Sequence, residues 1–212
     1  MTNYELAKLD LYTVLERAGY QRDESLIGRA LILYKTKNIP LNHLLAEVLI
    51  AHYLRERGFS KVDIERNVGS MKCDVVAHHR SIVKCVEIEF LFVPPNHVVD
   101  YTEFMIARHV KKLIAAAKNG IEYLSFAYPR YVVPPIPLEL VRPTQTRSDA
   151  ILRELIAITR KFFPLHAEDI EFLRTATIHS IMLFDLSTGH VVELNPQTVE
   201  VLLTLYESFI LR

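Results

Sequence analysis

Hydrophobic residues recur at helical spacing near the start of the chain, where residues 4–18 and 23–35 each carry an apolar stripe. This pattern predicts two short helices joined by a tight turn. A third helix is predicted to begin near Pro40, and its broad apolar face carries Glu47. By itself, one acid in that position is a weak functional signal.

The pattern then changes to runs of β-branched and apolar residues. Residues 73–77 and 82–90 are two such runs, and the polar segment 78–81 between them predicts a hairpin. A turn centred between the arginine and the serine of that segment places Asp74 opposite Glu87. The hairpin therefore brings two acids into register.

A third acid extends this pair. Because side chains two positions apart on a strand share a face, Glu89 is predicted to lie beside Glu87, while Val86 and Ile88 point into the other, apolar layer. Three carboxylates crowded together raise one another's pKa unless a cation neutralises them. Hard oxygen ligands suit Mg²⁺ or Mn²⁺, so Asp74, Glu87 and Glu89 predict a divalent-metal site.

The stretch from Leu44 to Arg130 resembles the PD-(D/E)XK nuclease superfamily and, within it, most resembles archaeal Holliday junction resolvases. The resemblance lies in the order of elements: LLAEVLIAHYLRERGF, DIERNV, GSMK, CDVVA, VEIEF, TEFMIARHVKKLIAAAKNG and IEYLSFAYP. It also extends to small nucleases of spindle-shaped archaeal viruses. The motif is short and degenerate, so the order of elements counts for more than any single letter.

The resemblance implies roles for individual positions. Asp74 corresponds to the central aspartate and Glu87 to the first acid of the (D/E)XK element. These two carboxylates and the backbone carbonyl of Ile88 would hold Mg²⁺ or Mn²⁺, with Glu47 completing the site from its helix. The implied activity is metal-assisted hydrolysis of a phosphodiester bond.

The family's usual lysine is absent, because Glu89 stands in its place. Glu89 could accept a proton or bind a second ion, or Lys111 or Lys112 could reach in from the next helix. The sequence leaves these alternatives open.

Candidate DNA contacts lie in two segments. Ser70 and Lys72 precede Asp74, and a hydroxyl and an ammonium are ordinary phosphate partners. Helical spacing places Arg108 on one side of the following helix with Lys111 and Lys112. The net charge is zero, but acids concentrate after residue 165 and leave a moderate positive excess before it.

Several features point to a cytoplasmic protein, or to the host cytoplasm if it is viral. No uninterrupted apolar stretch reaches 18 residues, and the first ten residues do not have the character of a signal peptide. The two cysteines, Cys73 and Cys85, are predicted to be reduced and to point to opposite faces of their sheet.

The remainder of the chain reads as additions to this core. Prolines make residues 129–147 an irregular connector, 148–163 resume helical spacing, 177–194 predict two strands, and 196–211 predict a terminal helix. We interpret residues 1–212 as a single nuclease-like domain. Its parts are a helical extension (1–40), the PD-(D/E)XK-like core (41–130), and a connector with an α+β addition (131–212).

The predicted fold is α/β, with a restriction-endonuclease-like central mixed β-sheet flanked by helices. The predicted function is a divalent-metal-dependent DNA endonuclease that acts, as a homodimer, on branched DNA such as Holliday junctions. The preference for branched DNA and the homodimer rest on the resemblance alone. The alternatives are a restriction-like or repair nuclease on duplex DNA, and a DNA-binding or assembly protein that retains the fold without cleavage.

Overall fold

A computed structural model describes residues 2–210 of the chain. The helices are α1 Asn3–Ala18, α2 Glu24–Lys37, α3 Leu41–Glu56, α4 Tyr101–Lys118, α5 Leu138–Val141, α6 Asp149–Arg160, α7 Asp169–Thr175 and α8 Pro196–Ile210, with 3₁₀ turns at Pro95–His97 and Thr144–Thr146. The strands are β1 Lys61–Val68, β2 Met71–His79, β3 Ile82–Ile88, β4 Tyr123–Pro129, β5 Ile178–Asp185 and β6 His190–Leu194.

The predicted α/β class is confirmed. The six strands form one mixed sheet in the order β1-β2-β3-β4-β5-β6, flanked by helices. The predicted hairpin is also confirmed, because β2 pairs antiparallel with β3 from His79↔Ile82 to Val75↔Val86. Arg80 takes a left-handed φ of 54° in its turn.

Local signals fix the first two helices where the pattern predicts them. Thr2 and Glu5 form a reciprocal capping box at the start of α1, and Gly19 ends that helix at a φ of 73°. Asp23 then caps α2 by accepting from the backbone N–H groups of Ser25 and Leu26. Residues that directly flank the helices therefore determine where both begin and where α1 ends.

The main hydrophobic core joins α1, α2 and α3 to one face of the sheet. Val75 and Ala77 of β2 and Val86 and Ile88 of β3 belong to this cluster. The helix α3 is buried along most of its length, and Glu47, with no exposed surface, lies among its apolar side chains. A carboxylate is thus held inside the core that positions α3.

The prediction that the two cysteines are reduced and point to opposite faces is wrong, because Cys73 and Cys85 form a disulfide. The prediction assumed strict alternation along β2. In the structure, the adjacent residues Asp74 and Val75 both contact the helical layer, Asp74 through His43 of α3 and Val75 through the core. Alternation therefore fails at Asp74, and the cysteine argument for a cytoplasmic location is lost.

The described chain divides into two compact units. The first comprises residues 1–90, 126–132 and 182–193, and the second comprises residues 91–125, 133–181 and 194–212. The single-domain interpretation stays a prediction. No helix within residues 2–210 combines the length and apolar character needed to cross a membrane.

The second unit contains two helices that the pattern does not predict. The four-residue α5 interrupts the proline-rich connector, and α7 precedes the strand β5. Both are too short for hydrophobic periodicity to reveal them. The helix α7 is anchored by tertiary contacts instead, since its buried Asp169 pairs with Lys118 of α4 at 2.5 Å.

The stability of the second unit is expected to fall in mild acid because of His109. This side chain is fully buried on α4, and its Nδ1 lies 2.6 Å from the carbonyl of Met105. Burial lowers the pKa of His109 to about 4 from its ordinary value of 6.5. Between these two values the unfolded chain binds more protons, so the free energy of unfolding decreases as pH falls through this window and is unaffected above it.

Urea unfolding at pH 7 and pH 4.5 measures this effect. Wild type is expected to lose about 2–3 kcal/mol more than His109→Leu between the two values. The same substitution at the exposed His190 provides the control. Equal losses in wild type and His109→Leu would contradict the assignment.

Candidate metal centre

Four side chains of the first unit converge beside the helix α3. They are His43 and Glu47 of α3, Glu65 of β1 and Asp74 of β2, and one potential ligand atom from each lies within 4.8 Å of the others. We call this group the acidic quartet. It combines three carboxylates and one imidazole on three elements of the core.

The two residues from α3 are positioned by helical geometry. His43 and Glu47 are four residues apart, which places them on the same face of the helix. His43 Nε2 lies 3.2 Å from Glu47 Oε1 and 3.6 Å from Asp74 Oδ2. The imidazole therefore bridges the helix and the sheet.

Glu65 enters the quartet through an irregularity in β1. Its backbone has a φ of 52°, in the left-handed region that non-glycine residues seldom adopt. The guanidinium of Arg29 donates to the carbonyls of Ile64 and Glu65, at 2.8 and 3.1 Å, and holds this segment. The carboxylate of Glu65 is nearly buried and pairs with the half-exposed ammonium of Lys72. The ammonium group of Lys72 thus lies at the solvent-facing side of the quartet and partly neutralises Glu65.

Asp74 ties the quartet to the end of β3. Its Oδ2 accepts a hydrogen bond from the backbone N–H of Ile88 at 2.7 Å. This bond fixes the orientation of the carboxylate, which is the most solvent-accessible of the three acids in the quartet.

The electrostatics of the quartet favour a cation. Burial raises the pKa of Glu47 to about 8, and His43 opposes this rise while Asp74 and Glu65 add to it. Burial disfavours protonation of His43, but the carboxylates of Asp74 and Glu47 outweigh burial and raise the pKa of His43 to about 10. The acids therefore favour positive charge beside them, which protonated His43 supplies and which a bound divalent cation could supply in its place.

Glu47 is the most unusual member. Both of its carboxylate oxygens are buried, and neither makes a hydrogen bond of good geometry within the described residues, although Oε1 lies near His43. Buried carboxylates are normally paired and fully hydrogen-bonded, because removing them from water is costly. A ligand cation would satisfy these oxygens.

The predicted trio of acids is distributed differently. Glu87 lies on the face opposite Val86 and Ile88 and groups with Cys73 and Cys85, not with the quartet. Glu89 is buried at the end of β3, where its backbone N–H donates to the carbonyl of Ala127. The broken alternation of β2 is the reason, since it turns Asp74 toward α3 and leaves Glu87 on the other face.

The predicted DNA contacts also fall in two places. Ser70 lies exposed in the β1–β2 turn, and Lys72 pairs with Glu65 of the quartet. The cations of α4 belong to the second unit, where the Lys111 ammonium lies 4.4 Å from the ring centre of Phe163. Burial, together with the charges of Lys112 and Arg108, lowers the pKa of Lys111.

Sequence reasoning missed His43 and Glu65. The spacing of His43 and Glu47 was a usable signal, because residues four apart share a helical face. Glu65 had a signal as well. The β1–β2 turn at residues 69–70 pairs Val68 with Met71, and counting outward from that pair places Glu65 opposite Asp74.

Comparisons with known proteins do not establish a family. No family model matches the chain, and no curated protein matches it. Among solved structures, SfsA of Pyrococcus furiosus in complex with Ca²⁺ is similar at 16% sequence identity and a TM-score of 0.30. The alignment covers 71% of this chain and 62% of that chain, which is less than two thirds of SfsA. A similarity of this size carries no argument about function, so the PD-(D/E)XK resemblance stays an expectation.

Proposed function

We propose that the protein is a divalent-metal-dependent phosphodiesterase that cleaves DNA at the acidic quartet. The observation that carries this proposal is Glu47, a fully buried carboxylate among three other potential ligands, whose Oε1 lies 3.2 Å from His43 and whose Oε2 makes no hydrogen bond within the described residues. An acidic cluster by itself is common on protein surfaces. A buried carboxylate with one oxygen left without a partner inside such a cluster is the feature that a bound cation explains.

The donor set fits Mg²⁺ or Mn²⁺. Carboxylate oxygens are the ligands that Mg²⁺ prefers, and one imidazole beside them is also acceptable to Mn²⁺. With metal–oxygen distances of about 2.1 Å, ligand atoms on opposite sides of an ion are about 4.2 Å apart. The 4.8 Å limit within the quartet is compatible with that spacing.

The residues divide the work of hydrolysis. Glu47, Glu65, Asp74 and His43 would hold the ion, which when bound polarises the scissile phosphate and lowers the pKa of its water. The hydrogen bond from the N–H of Ile88 keeps Asp74 oriented. Lys72, once released from Glu65, is free to contact a phosphate oxygen.

Three finer features of the proposal rest on the resemblance. They are a preference for branched DNA such as Holliday junctions, a homodimer that makes two incisions, and participation of the Ile88 carbonyl in the site. Glu87, which the resemblance also implies as a ligand, lies on the other face of the sheet from the quartet. For the group that activates water, the sequence offers Glu89, Lys111 and Lys112 as candidates, and none of them belongs to the quartet. The quartet supports binding of a metal ion, and the cleavage assay below compares DNA substrates of different geometry.

A cleavage assay tests the proposed function. The purified protein is incubated with four-way junction, nicked, flapped, duplex and single-stranded DNA in Mg²⁺, Mn²⁺ or chelator. We expect metal-dependent cleavage that Asp74→Asn abolishes, because asparagine keeps the acceptor for Ile88 but removes the charge. Asp10→Asn, at an exposed position on α1, is the matched control and should cleave like wild type.

Two results would oppose the proposal. Cleavage that persists in Asp74→Asn would point to a contaminant or to another site. Binding of DNA without cleavage in any metal would support the alternative of a non-catalytic DNA-binding protein.

A further inference from the structure

A cleft of about 630 Å³ lies along β1 in the first unit. This strand stands at one end of the strand order and is therefore an edge of the sheet. The charged residues of the cleft wall are Arg29, Arg55, Lys61, Asp63 and Arg66. Four bases and one acid thus line a concave surface on an edge strand.

Two arginines of the cleft are held in place by backbone carbonyls of the edge strand β1. Arg29 donates to the carbonyls of Ile64 and Glu65, and Arg55 donates to the carbonyl of Val62 at 3.2 Å. These carbonyls would otherwise be acceptors for an added β-strand. Because the arginines occupy them, the edge is poorly suited to pairing with a peptide.

The charge of the cleft is only partly compensated. Asp63 pairs with both Arg29, at 2.9 Å, and Arg66, while Asp23 outside the wall pairs with Arg55. Lys61 is exposed and makes no ion pair within the described residues. Two positive charges therefore remain in excess, on guanidinium and ammonium groups whose spare N–H donors suit phosphate oxygens.

Glu65 connects the cleft with the acidic quartet. Its backbone carbonyl accepts from Arg29 in the cleft wall, and its carboxylate belongs to the quartet. Asp63 and Arg66, on either side of it along β1, line the cleft. A polymer with its scissile phosphate at the quartet would have neighbouring phosphates within reach of the cleft.

We propose that this cleft binds the phosphodiester backbone of the nucleic acid whose scissile phosphate is held at the quartet. The inference rests on the proposed function and identifies the surface that would grip its substrate. Recognition of this kind depends on charge and is independent of base sequence. The polar side chains of Ser25, Ser60 and Asn67 add further potential partners for phosphate.

Fluorescence anisotropy with a short fluorescein-labelled DNA duplex in EDTA tests the cleft without metal. The double variant Lys61→Gln/Arg66→Gln removes two cations but leaves Arg29 and Arg55 on the strand edge, and Asp63 keeps Arg29 as its partner. We expect binding to weaken about 10-fold or more, and the slope of log K against log salt to become shallower by about one to two, between about 50 and 200 mM salt.

The matched control is Lys35→Gln/Lys37→Gln, which removes the same charge from exposed positions in the last turn of the same unit's α2. It is expected to change the affinity less than about twofold, because these charges lie away from the cleft wall. Equal weakening in both double variants, or no DNA binding by wild type, would overturn the proposal. Tripolyphosphate that competes as well as DNA at equal phosphate concentration would also overturn it, since a site for a small anion would explain the cleft.

Calorimetric titration with Mn²⁺ separates this inference from the proposed function. The cleft double variant is expected to bind Mn²⁺ like wild type, because it keeps all four residues of the quartet. Weaker Mn²⁺ binding in that variant would mean that the quartet was disturbed and would count against a separate cleft. DNA binding that depends on the cleft, in a protein that cleaves nothing, would refute hydrolysis but support the cleft.

Discussion

Replacing Glu47 with methionine is expected to stabilise the metal-free protein and, in the same variant, to abolish its response to Mn²⁺. Glu47 is fully buried, and within the described residues its Oε2 makes no hydrogen bond while its Oε1 lies 3.2 Å from His43. Burial raises the pKa of Glu47 to about 8, so at pH 7 this carboxyl costs the folded state roughly 3 kcal/mol, which an apolar side chain of similar length removes. The same change deletes one ligand from the centre of the acidic quartet, so cleavage should fall with it.

Thermal unfolding with and without Mn²⁺ measures both effects. Wild type is expected to gain about 2.7 kcal/mol of apparent stability at 100 times its dissociation constant, whereas Glu47→Met gains almost none. The control is Glu56→Met, at an exposed position near the end of the same helix, which should respond to Mn²⁺ like wild type. Normal Mn²⁺ stabilisation of Glu47→Met would exclude Glu47 as a ligand.

Replacing Arg147 with methionine is expected to destabilise the second unit by about 3–5 kcal/mol. Its guanidinium is buried and donates to the carbonyls of Glu139, Leu140, Leu173 and Ala176, at 2.9, 3.1, 2.8 and 2.6 Å. Burial lowers the pKa of Arg147 to about 10, so the side chain is still charged at neutral pH. Methionine would leave all four acceptors, three of them buried, without their donor.

Urea or thermal unfolding measures this loss. For a chain of this length, the melting temperature should fall by about 2–4 °C for each kcal/mol. Arg147→Lys is expected to recover only part of the stability, because one ammonium cannot reproduce the forked geometry of a guanidinium. Arg153→Met, at an exposed position on α6, should be nearly neutral. A melting temperature unchanged in Arg147→Met would show that the carbonyls find other donors.

The β2–β3 hairpin shows how much of the site could be predicted from the sequence. Turn chemistry and apolar alternation gave the correct pairing of β2 with β3 as far as Val75↔Val86. Extending the same alternation through Asp74 predicted its carboxylate beside that of Glu87. The extension failed because Glu65, opposite Asp74, adopts a left-handed conformation and Asp74 turns toward α3. Such an irregularity depends on packing and leaves no mark in the pattern of apolar residues.

The residues of the metal site were also predicted only in part. Glu47 and Asp74 were both predicted, and the structure brings them together, whereas His43 and Glu65 join them unpredicted. Each of the latter two had a local signal, a spacing of four on a helix or a position opposite Asp74 on a hairpin. Choosing them among nine histidines and 25 acids requires knowing which face of α3 meets the sheet.

The sequence by itself determined the α/β class, the first three helices and the β2–β3 hairpin, because periodicity, caps and turns act over a few neighbouring residues. Only the tertiary structure decided which acids meet, that the two cysteines are joined, and that arginines close the edge of β1. Those outcomes depend on long-range packing of helices against the sheet, where a single break in side-chain alternation moves a carboxylate from one face to the other.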